Sequence, residues 1–340
     1  MIFRSKAPLR LGLAGGGTDV SPYSDIYGGN ILNVTINQYA YATIRPTEDG
    51  LIKLSSFDRD EHLVMASTAE LPMDGTLDLL KGVYNRIVRQ FTHAPLSFEL
   101  QTYVDAPAGS GLGTSSTLVV AIVGAFREWL NLPMGEYDIA HLAFEIERLD
   151  MGMSGGKQDQ YSATFGGFNF MEFYKDDKVI VNPLRIKKRV IAELEMNMVL
   201  YYTGTSRLSA KIIDSQVSNV QRNASKPVEA MHQLKEQSRM MKNALLKGEL
   251  ETIGEILNFG WEQKKQMSEE ISNPMIDELY ATAMHSGATG GKISGAGGGG
   301  FMFFYCPDNT RYPVMKALAA FGGQTKNFQF VEEGLITWKS

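Results

Sequence analysis

Cysteine is almost absent from this sequence of 340 residues. The single cysteine, Cys306, lies in the apolar run 301–306. One cysteine excludes an intramolecular disulfide and is compatible with a reducing compartment. Because free cysteine usually packs as a small hydrophobic side chain, we expect Cys306 to be buried and inert.

The sequence also lacks long apolar runs and a strong charge of either sign. No stretch of about eighteen uncharged apolar residues occurs, and residues 1–8 lack the apolar core of a signal peptide. We therefore expect a soluble, cytoplasmic protein without a membrane partner. The formal net charge is −5. This argues against a nucleic-acid partner, because such proteins use a basic face to displace counterions from phosphates. The sequence indicates no particular oligomeric state.

Several common site signatures are missing. The five histidines are scattered, without a His-x-x-x-His pair or a neighbouring cysteine, which argues against a zinc site. No lysine follows the glycines of residues 109–113, so this segment is not a Walker A loop. The spelling Gly-x-Gly-x-x-Gly occurs at 295–300, but a predicted strand follows it where a dinucleotide site requires a helix.

The order of predicted elements indicates an α+β fold with two domains. Alternating apolar and β-branched residues predict strands at 30–44, 51–55, 96–104, 168–173, 179–181, 198–202, 301–306 and near Phe328. Helical spacing predicts helices at 76–91, at 114–130, from an N-cap at Asp138 to about 150, through most of 209–267, at 274–286 and at 312–320. Mixed strands and helices without strict βαβ alternation are typical of this class. We place the domains at 1–185 and 186–340.

Glycines and hydroxyls concentrate between a predicted strand and a predicted helix. The segment reads Pro107, Ala108, Gly109, Ser110, Gly111, Leu112, Gly113, Thr114, Ser115, Ser116. Glycines permit positive φ and a close approach of the backbone to an anion, and the N–H groups at a helix start favour negative charge. A capped turn is the alternative, but three alternating glycines followed by three hydroxyls exceed what a turn requires. We therefore predict a phosphate-binding loop.

Two further glycine-rich segments lie on either side of this loop in the sequence. In the first, residues 15–17 precede Thr18 and Asp19. A carboxylate there can accept hydrogen bonds from two sugar hydroxyls, although capping of a turn explains Asp19 equally well. In the second, residues 290–300, four consecutive glycines precede a strand. This indicates the close approach of a ligand or of another part of the chain.

Two acidic residues are candidates for phosphoryl transfer from ATP. Such transfer usually needs Mg²⁺, which prefers oxygen ligands, and a carboxylate that orients or deprotonates the attacking hydroxyl. Asp159 lies in the polar, glycine-containing stretch 153–160, which suits an active site better than a core. Glu147 lies late in a predicted helix, where a solvated helix face is enough to explain it.

The three glycine-rich segments, taken in this order, resemble those of the GHMP kinase superfamily, which includes galactokinase, homoserine kinase, mevalonate kinase and phosphomevalonate kinase. The resemblance covers residues 7–300. It implies a two-domain kinase that uses ATP and Mg²⁺, with the active site in the cleft between the domains. The loop at 107–116 would then bind the ATP phosphates.

The resemblance also implies roles for single residues. Ser116 and Glu147 match the positions that hold Mg²⁺ in this superfamily, with Ser115 able to share the role. Asp159 matches the carboxylate that acts on the acceptor hydroxyl. Arg10 matches a cation that stabilises charge on the transferring phosphoryl group.

Three short segments of the sequence indicate which sugar accepts the phosphoryl group. Residues 7–10, 14–19 and 155–161 resemble the D-glycero-D-manno-heptose 7-phosphate kinases, which phosphorylate the anomeric O1 and form a 1,7-bisphosphate on the route to nucleotide-activated heptose. Galactose is disfavoured, because residues 15–17 are three glycines where galactokinases have Gly-Glu-His. A fucokinase-like enzyme is the alternative. An inactive sugar- or nucleotide-binding protein of the same fold is the alternative from another class.

The resemblance implies a set of residues that contact the acceptor, namely Gly17, Thr18, Asp19 and Gly297. An acceptor that already carries a phosphate also needs a basic group to receive it. The candidates for this group are Lys157, Arg207 and Lys211, of which Lys211 is better explained by solvation.

Overall fold

The computed structural model describes residues 1–205 and 209–340. The strands in these residues are β1 Phe3–Ala14, β2 Gly29–Pro46, β3 Leu51–Ser56, β4 Glu61–Ala66, β5 Phe98–Val104, β6 Phe168–Phe173, β7 Val179–Pro183, β8 Met198–Tyr202, β9 Gly290–Ile293, β10 Phe301–Tyr305, β11 Gln324–Lys326 and β12 Ile336–Lys339. The helices are α1 Tyr23–Tyr27, α2 Asp78–Ile87, α3 Thr114–Leu130, α4 Glu136–Glu145, α5 Gln158–Phe165, α6 Lys188–Asn197, α7 Ser209–Gln221, α8 Ser225–Lys247, α9 Ile253–Lys265, α10 Pro274–His285 and α11 Arg311–Leu318.

The first sheet runs in the order β12-β1-β2-β5-β3-β4, with β6 beside β2 and β7 beside β6. All of its neighbours are antiparallel except β3 and β5, which are parallel. Helix α3 packs across β1 and β2, and its apolar body from Leu118 to Phe126 is almost wholly buried. This packing places the start of α3 next to the end of β1. The loops that carry the predicted site residues lie close to this point.

The second sheet, β11-β8-β10-β9, has an apolar core on each of its two faces. Val199 of β8 and Phe304 of β10 belong to a core formed with the C-terminal helices. Their neighbours Leu200 and Phe303 belong to the core of the first sheet. Strands buried on both faces have continuous apolar sequences, which explains the run that contains Cys306. That thiol is fully buried, as expected, and burial raises its pKa to about 12.

Most predicted elements are confirmed, and helix α3 has the predicted bounds. The predicted N-cap at Asp138 is wrong, because α4 begins two residues earlier, at Glu136, with Gly135 as its cap. Asp138 lies within the first turn, and its Oδ2 accepts a hydrogen bond of 2.8 Å from the amide of Gly135. The carboxylate therefore caps the helix from inside. Helices α2 and α4 each continue into a turn of π-helix, and the second of these, Ile146–Asp150, carries Glu147.

The C-terminal segment returns to the first sheet. The strand predicted near Phe328 lies slightly earlier in the chain, as β11 at Gln324–Lys326, which pairs with β8. After an isolated bridge between Phe330 and Ile36, strand β12 pairs with β1, from Phe3 opposite Lys339 to Lys6 opposite Ile336. The division at 185 stays a prediction, with the last strand of the second segment completing the sheet of the first. In the described ranges 1–205 and 209–340, no helix has the length and apolar character needed to cross a bilayer.

Candidate active site

A cleft of about 470 Å³ is lined by predicted site residues from both parts of the chain. The first part contributes the end of β1, the β5–α3 loop and the start of α5. The second part contributes α7, α9 and the glycine-rich turn after β9. The cleft is lined by Arg10, Asp19, Ser116, Asp159 and Lys264, among others.

The β5–α3 loop has the backbone of an anion-binding turn. Gly109, Gly111 and Gly113 take positive φ angles of 71°, 86° and 77°, which side chains with a Cβ adopt only with strain. Helix α3 begins immediately afterwards, so the amides of its first turn open on the cleft that Thr114, Ser115 and Ser116 line. Pro107, Ser110 and Leu112, which were also predicted to bind ATP, are not among the residues that line the cleft. The carbonyl of Leu112 accepts a hydrogen bond of 3.2 Å from the amide of Arg10, and that of Ser110 accepts one of 2.8 Å from the amide of Phe301.

The third glycine-rich segment packs directly on this loop. A Cβ added at Gly111 would lie 2.4 Å from the carbonyl oxygen of Ser294, so the two backbones touch. The Ser294 hydroxyl donates a hydrogen bond of 2.8 Å to the carbonyl of Gly111. Gly295 and Ala296 reach the cleft. Gly297 packs on Ile271, whose backbone would lie 3.0 Å from an added Cβ.

Arg10 and Asp159 form an ion pair beside the phosphate loop. The Nε and Nη2 atoms of Arg10 lie 2.7 and 2.6 Å from Oδ1 of Asp159. A further 2.6 Å hydrogen bond runs from Nη1 of Arg10 to the carbonyl of Gly111. The arginine is 4% exposed and the aspartate 20%. The guanidinium thus fixes one carboxylate oxygen, and the other, Oδ2, has no hydrogen-bond partner among the residues that the structure describes.

Glu147 lies in a buried polar cluster at the start of α3. Its Oε1 accepts a hydrogen bond of 3.2 Å from the hydroxyl of Ser115. The amide of Gln160 donates to Oε2 of Glu147 at 2.5 Å and to the hydroxyl of Ser116 at 3.2 Å. Gln160 therefore joins the two predicted metal ligands, a role that its place in a polar stretch did not reveal. The described residues contain no group of three His, Cys, Asp or Glu side chains that could hold a metal.

These oxygen donors fit a magnesium ion. One carboxylate and nearby hydroxyls form the sparse protein ligand set that Mg²⁺ uses when nucleotide phosphates and water supply its other ligands. The fit rests on Glu147, which is fully buried among hydroxyl and amide neighbours, with its nearest cation, Nη1 of Arg148, 3.9 Å from Oε1.

Asp19 is held at the N-terminus of α5. Its Oδ2 accepts hydrogen bonds of 2.9 and 3.0 Å from the amides of Lys157 and Gln158. A Cβ at Gly156 would lie 1.9 Å from the same oxygen. Oδ1 is buried without a partner in the described structure, and burial raises the pKa of this carboxyl group. One carboxylate oxygen of Asp19 is therefore hydrogen-bonded to the backbone, and the other is left available to accept a hydrogen bond.

Thr18 has a structural position. Its hydroxyl donates to the carbonyls of Gly15 and Asn30 and accepts from the amide of Asn30 at 3.1 Å. These bonds join the first glycine-rich segment to β2. Gly17, with a φ of 105°, lies on the wall of the cleft.

Comparison with known proteins decides the family. The GHMP kinases N terminal domain matches residues 78–167, and the GHMP kinases C terminal domain matches residues 241–324. The chain is 49% identical over 336 residues to the D-glycero-alpha-D-manno-heptose 7-phosphate kinase of Campylobacter jejuni subsp. jejuni serotype O:2, which covers 99% of this chain and 98% of that protein. The chain belongs to the GHMP kinases.

Other GHMP kinases show the same fold. A crystal structure described as a D-glycero-D-manno-heptose 1-phosphate kinase from Bacteriodes thetaiotaomicron superposes with a TM-score of 0.85 and 48% identity, over 99% of both chains. The L-fucokinase/L-fucose-1-P guanylyltransferase of Bacteroides fragilis is 26% identical over 96% of this chain but only 37% of its own length. The predicted α+β, two-domain GHMP architecture is thus confirmed.

Two of the predicted phosphate-receiving residues of this GHMP kinase, Lys157 and Lys211, each pair with a carboxylate of the protein. Lys157 is 2% exposed and turns towards Asp177, with 2.6 Å between its Nζ and Oδ1. Lys211 is 81% exposed and pairs with Glu270 on the surface. Arg207 lies outside the described residues.

Two buried lysines that were not predicted lie under the first glycine-rich segment of the kinase. A Cβ at Gly16 would be 3.7 Å from the Nζ atoms of both Lys264 and Lys292. Lys292 donates a hydrogen bond of 2.9 Å to the carbonyl of Gly12. Burial lowers the pKa of Lys264 to about 8 and lowers that of Lys292 well below its usual value. Only the folded chain distinguishes Lys264 from its neighbour Lys265, because the sequence gives both the same surface-like context.

Proposed function

We propose that this GHMP kinase transfers the γ-phosphoryl group of ATP to the anomeric O1 of D-glycero-D-manno-heptose 7-phosphate. The products would be ADP and the 1,7-bisphosphate, on the route to nucleotide-activated heptose. The observation that carries this proposal is 49% identity along almost the whole length of an enzyme with that name. The Arg10–Asp159 pair beside the phosphate loop supports the kinase chemistry. We further propose that the enzyme works in the cytoplasm without a membrane or nucleic-acid partner.

Asp159 and Arg10 would carry out the transfer. With Oδ1 fixed by Arg10, Oδ2 of Asp159 is the oxygen that can orient the O1 hydroxyl and accept its proton. A bond then forms between O1 and the γ-phosphorus, and the bond from that phosphorus to the β,γ-bridging oxygen breaks. The amides of residues 109–116 and the Arg10 guanidinium stabilise the charge on the phosphoryl oxygens.

Ser116 and Glu147 would hold Mg²⁺, with Ser115 beside them. When bound, the ion neutralises charge on the nucleotide phosphates. Gln160 keeps Ser116 and Glu147 in position through its two hydrogen bonds. On the acceptor side, the free Oδ1 of Asp19 would accept a hydrogen bond from a sugar hydroxyl.

Two alternative activities are less well supported. A fucokinase-like activity rests on 26% identity to part of a longer protein. An inactive binding protein would have no reason to retain the Arg10–Asp159 ion pair in contact with the phosphate loop. The two heptose kinase names differ in the position of the phosphate already present, at carbon 7 in one and carbon 1 in the other. Both describe the acceptor as a phosphorylated heptose.

A coupled ADP-release assay with Mg·ATP tests the proposal. The acceptors are heptose 7-phosphate, heptose 1-phosphate, free heptose, L-fucose, galactose and mevalonate. We expect turnover with heptose 7-phosphate at least 100-fold above that with any other acceptor. Preference for L-fucose or heptose 1-phosphate would replace the proposed acceptor while keeping the kinase. Failure with every acceptor would reject the sugar-kinase proposal.

A further inference from the structure

Lys264 is a buried cation on the wall of the cleft, and no carboxylate of residues 1–205 and 209–340 forms a salt bridge with it. It is 2% exposed and belongs to the wall of the cleft. Within residues 1–205 and 209–340, its ammonium group has neither a hydrogen bond nor a salt bridge to a protein atom. A buried charge without a partner is expensive to keep. A ligand with the opposite charge would supply the missing partner.

The position of Lys264 places it on the acceptor side of the cleft. Its Nζ lies against Gly16 in the segment that leads to Asp19, whereas the nucleotide loop is built at the start of α3. Gln216 of α7 and Gly17 line the same part of the wall. A ligand held by the free oxygen of Asp19 would therefore lie within the electrostatic reach of Lys264.

The carboxylates near Lys264 do not balance the positive charges in this region. Arg10 and Asp159 neutralise each other as an ion pair. The Asp19 carboxylate shares one oxygen with two backbone amides, and burial raises its pKa. Lys264 and Lys292 add two cations, and burial lowers the pKa of both. A phosphate group would favour the charged form of these lysines.

We propose that Lys264, with Lys292 behind it, receives the phosphate group that the acceptor already carries. The lysine would thereby make the enzyme select a phosphorylated sugar over the free sugar. This inference rests on the proposed function, because it assigns a residue to the phosphate of that acceptor. It replaces Lys157 and Lys211, whose ammonium groups pair with Asp177 and Glu270.

The test compares Lys264→Met with Lys211→Met, a lysine variant on the surface of the same domain. For each, kcat/KM is measured with heptose 7-phosphate and with free heptose. We expect Lys264→Met to lower kcat/KM for the phosphorylated sugar by 30- to 100-fold, mainly through KM, because a hydrogen bond between charged groups is lost. The value for free heptose should change by less than threefold. Lys264→Arg should recover part of the loss, and Lys211→Met should behave like the wild type.

Equal losses with both sugars would overturn the inference, because Lys264 would then serve the sugar hydroxyls or the transferring phosphoryl group. A second measurement does not depend on turnover. Inorganic phosphate binding, followed by calorimetry in the absence of nucleotide, should weaken at least tenfold in Lys264→Met and stay unchanged in Lys211→Met. Unchanged phosphate binding in Lys264→Met would also overturn the inference. Absence of wild-type turnover with heptose 7-phosphate would instead reject the proposed function, and the calorimetry would still decide the role of Lys264.

Discussion

Arg10 and Asp159 lie 149 positions apart in the chain and meet in a partly buried ion pair. The sequence predicted both residues, and their contact follows from the packing of α5 against β1. Arg10 contacts only Oδ1 of Asp159. Under the proposed function, Oδ1 maintains the geometry of the carboxylate and Oδ2 is available to the acceptor.

Asp159→Asn should lower kcat by a factor of 10² to 10⁴, because the amide cannot accept the acceptor proton. ATP binding should remain, since the nucleotide loop makes its own contacts. Turnover and calorimetric ATP titration measure the two effects. Asp49→Asn, in a surface turn between β2 and β3, is the control and should keep wild-type turnover. Turnover of Asp159→Asn within tenfold of wild type would remove Asp159 from the proton-accepting role.

Lys264 could not be identified as a site residue from the sequence pattern. Asp159 and Glu147 could be predicted because their spacing and polar context match a known arrangement. Lys264 lies in the polar stretch 262–265 of a helix, and its burial under the first glycine-rich segment becomes visible only after folding. The same holds for Gln160, whose value depends on the two side chains that it joins.

The buried Lys264 also predicts a pH dependence of stability. Its pKa is about 8 in the folded protein, below its usual value of 10.5. Between these values the unfolded chain binds more protons, so the free energy of unfolding should rise with pH, by up to about 1.4 kcal/mol per pH unit from this residue. The charged groups that face Lys264 are Asp19, Arg10 and Lys292. Urea unfolding at pH 7 to 10 should show a shallower rise in Lys264→Met than in the wild type. Parallel curves for the two proteins would contradict the assigned pKa.

At the scale of elements, the close contact between two glycine-rich turns holds the nucleotide loop in place. The loop before α3 belongs to the first sheet, and residues 294–300 connect strands of the second. The sequence predicted that something approaches the four consecutive glycines. It did not reveal that Gly300 packs on Ser110 of the β5–α3 loop and Gly297 on Ile271, because contacts between distant segments leave no local periodicity.

Gly111→Ala should disturb this contact. Gly111 combines a φ of 86° with a Cβ position 2.4 Å from the carbonyl of Ser294. Gly50→Ala is the matched control, because Gly50 has a φ of 70° but open space around it. The left-handed backbone alone destabilises by about 1–2 kcal/mol. We expect Gly111→Ala to exceed Gly50→Ala in loss of unfolding free energy and to weaken ATP binding at least tenfold. Equal effects of the two variants would show that the turns can separate without consequence.

At the scale of the molecule, residues 1–185 and 186–340 share part of one apolar core and one sheet. The second sheet shares one face with the core of the first, and β12 crosses back to pair with β1. The α+β class was predicted from the mixture of strands and helices. The return of the chain was not, since a strand of only four residues, Ile336–Lys339, does not indicate which other strand it pairs with.

Removal of residues 335–340 should destabilise the whole protein. It deletes the β12–β1 pairing and the contact of Leu335 with helix α3, where a Cβ at Gly124 would lie 2.8 Å from that side chain. We expect a loss of about 3 kcal/mol, which corresponds to a fall in Tm of roughly 4 °C, because the unfolding entropy of a chain of 340 residues is about 0.7 kcal/mol/K. Trp338→Ala, at a partly exposed position of the same strand, should lower Tm by about 1 °C or less. A Tm that does not change on truncation would show that β12 is dispensable.

The pairing of β12 with β1 can form only after almost the whole chain has been synthesised. Residues 3–6 leave the ribosome early, and their partners 336–339 are translated more than 300 residues later. During that interval the outer edge of β1 offers unpaired backbone groups to any other extended chain. Likewise, the β5–α3 loop lacks its contact with residues 294–300 until that turn has been translated. A nascent chain that pauses in its second half should therefore depend on chaperones and be unable to use ATP.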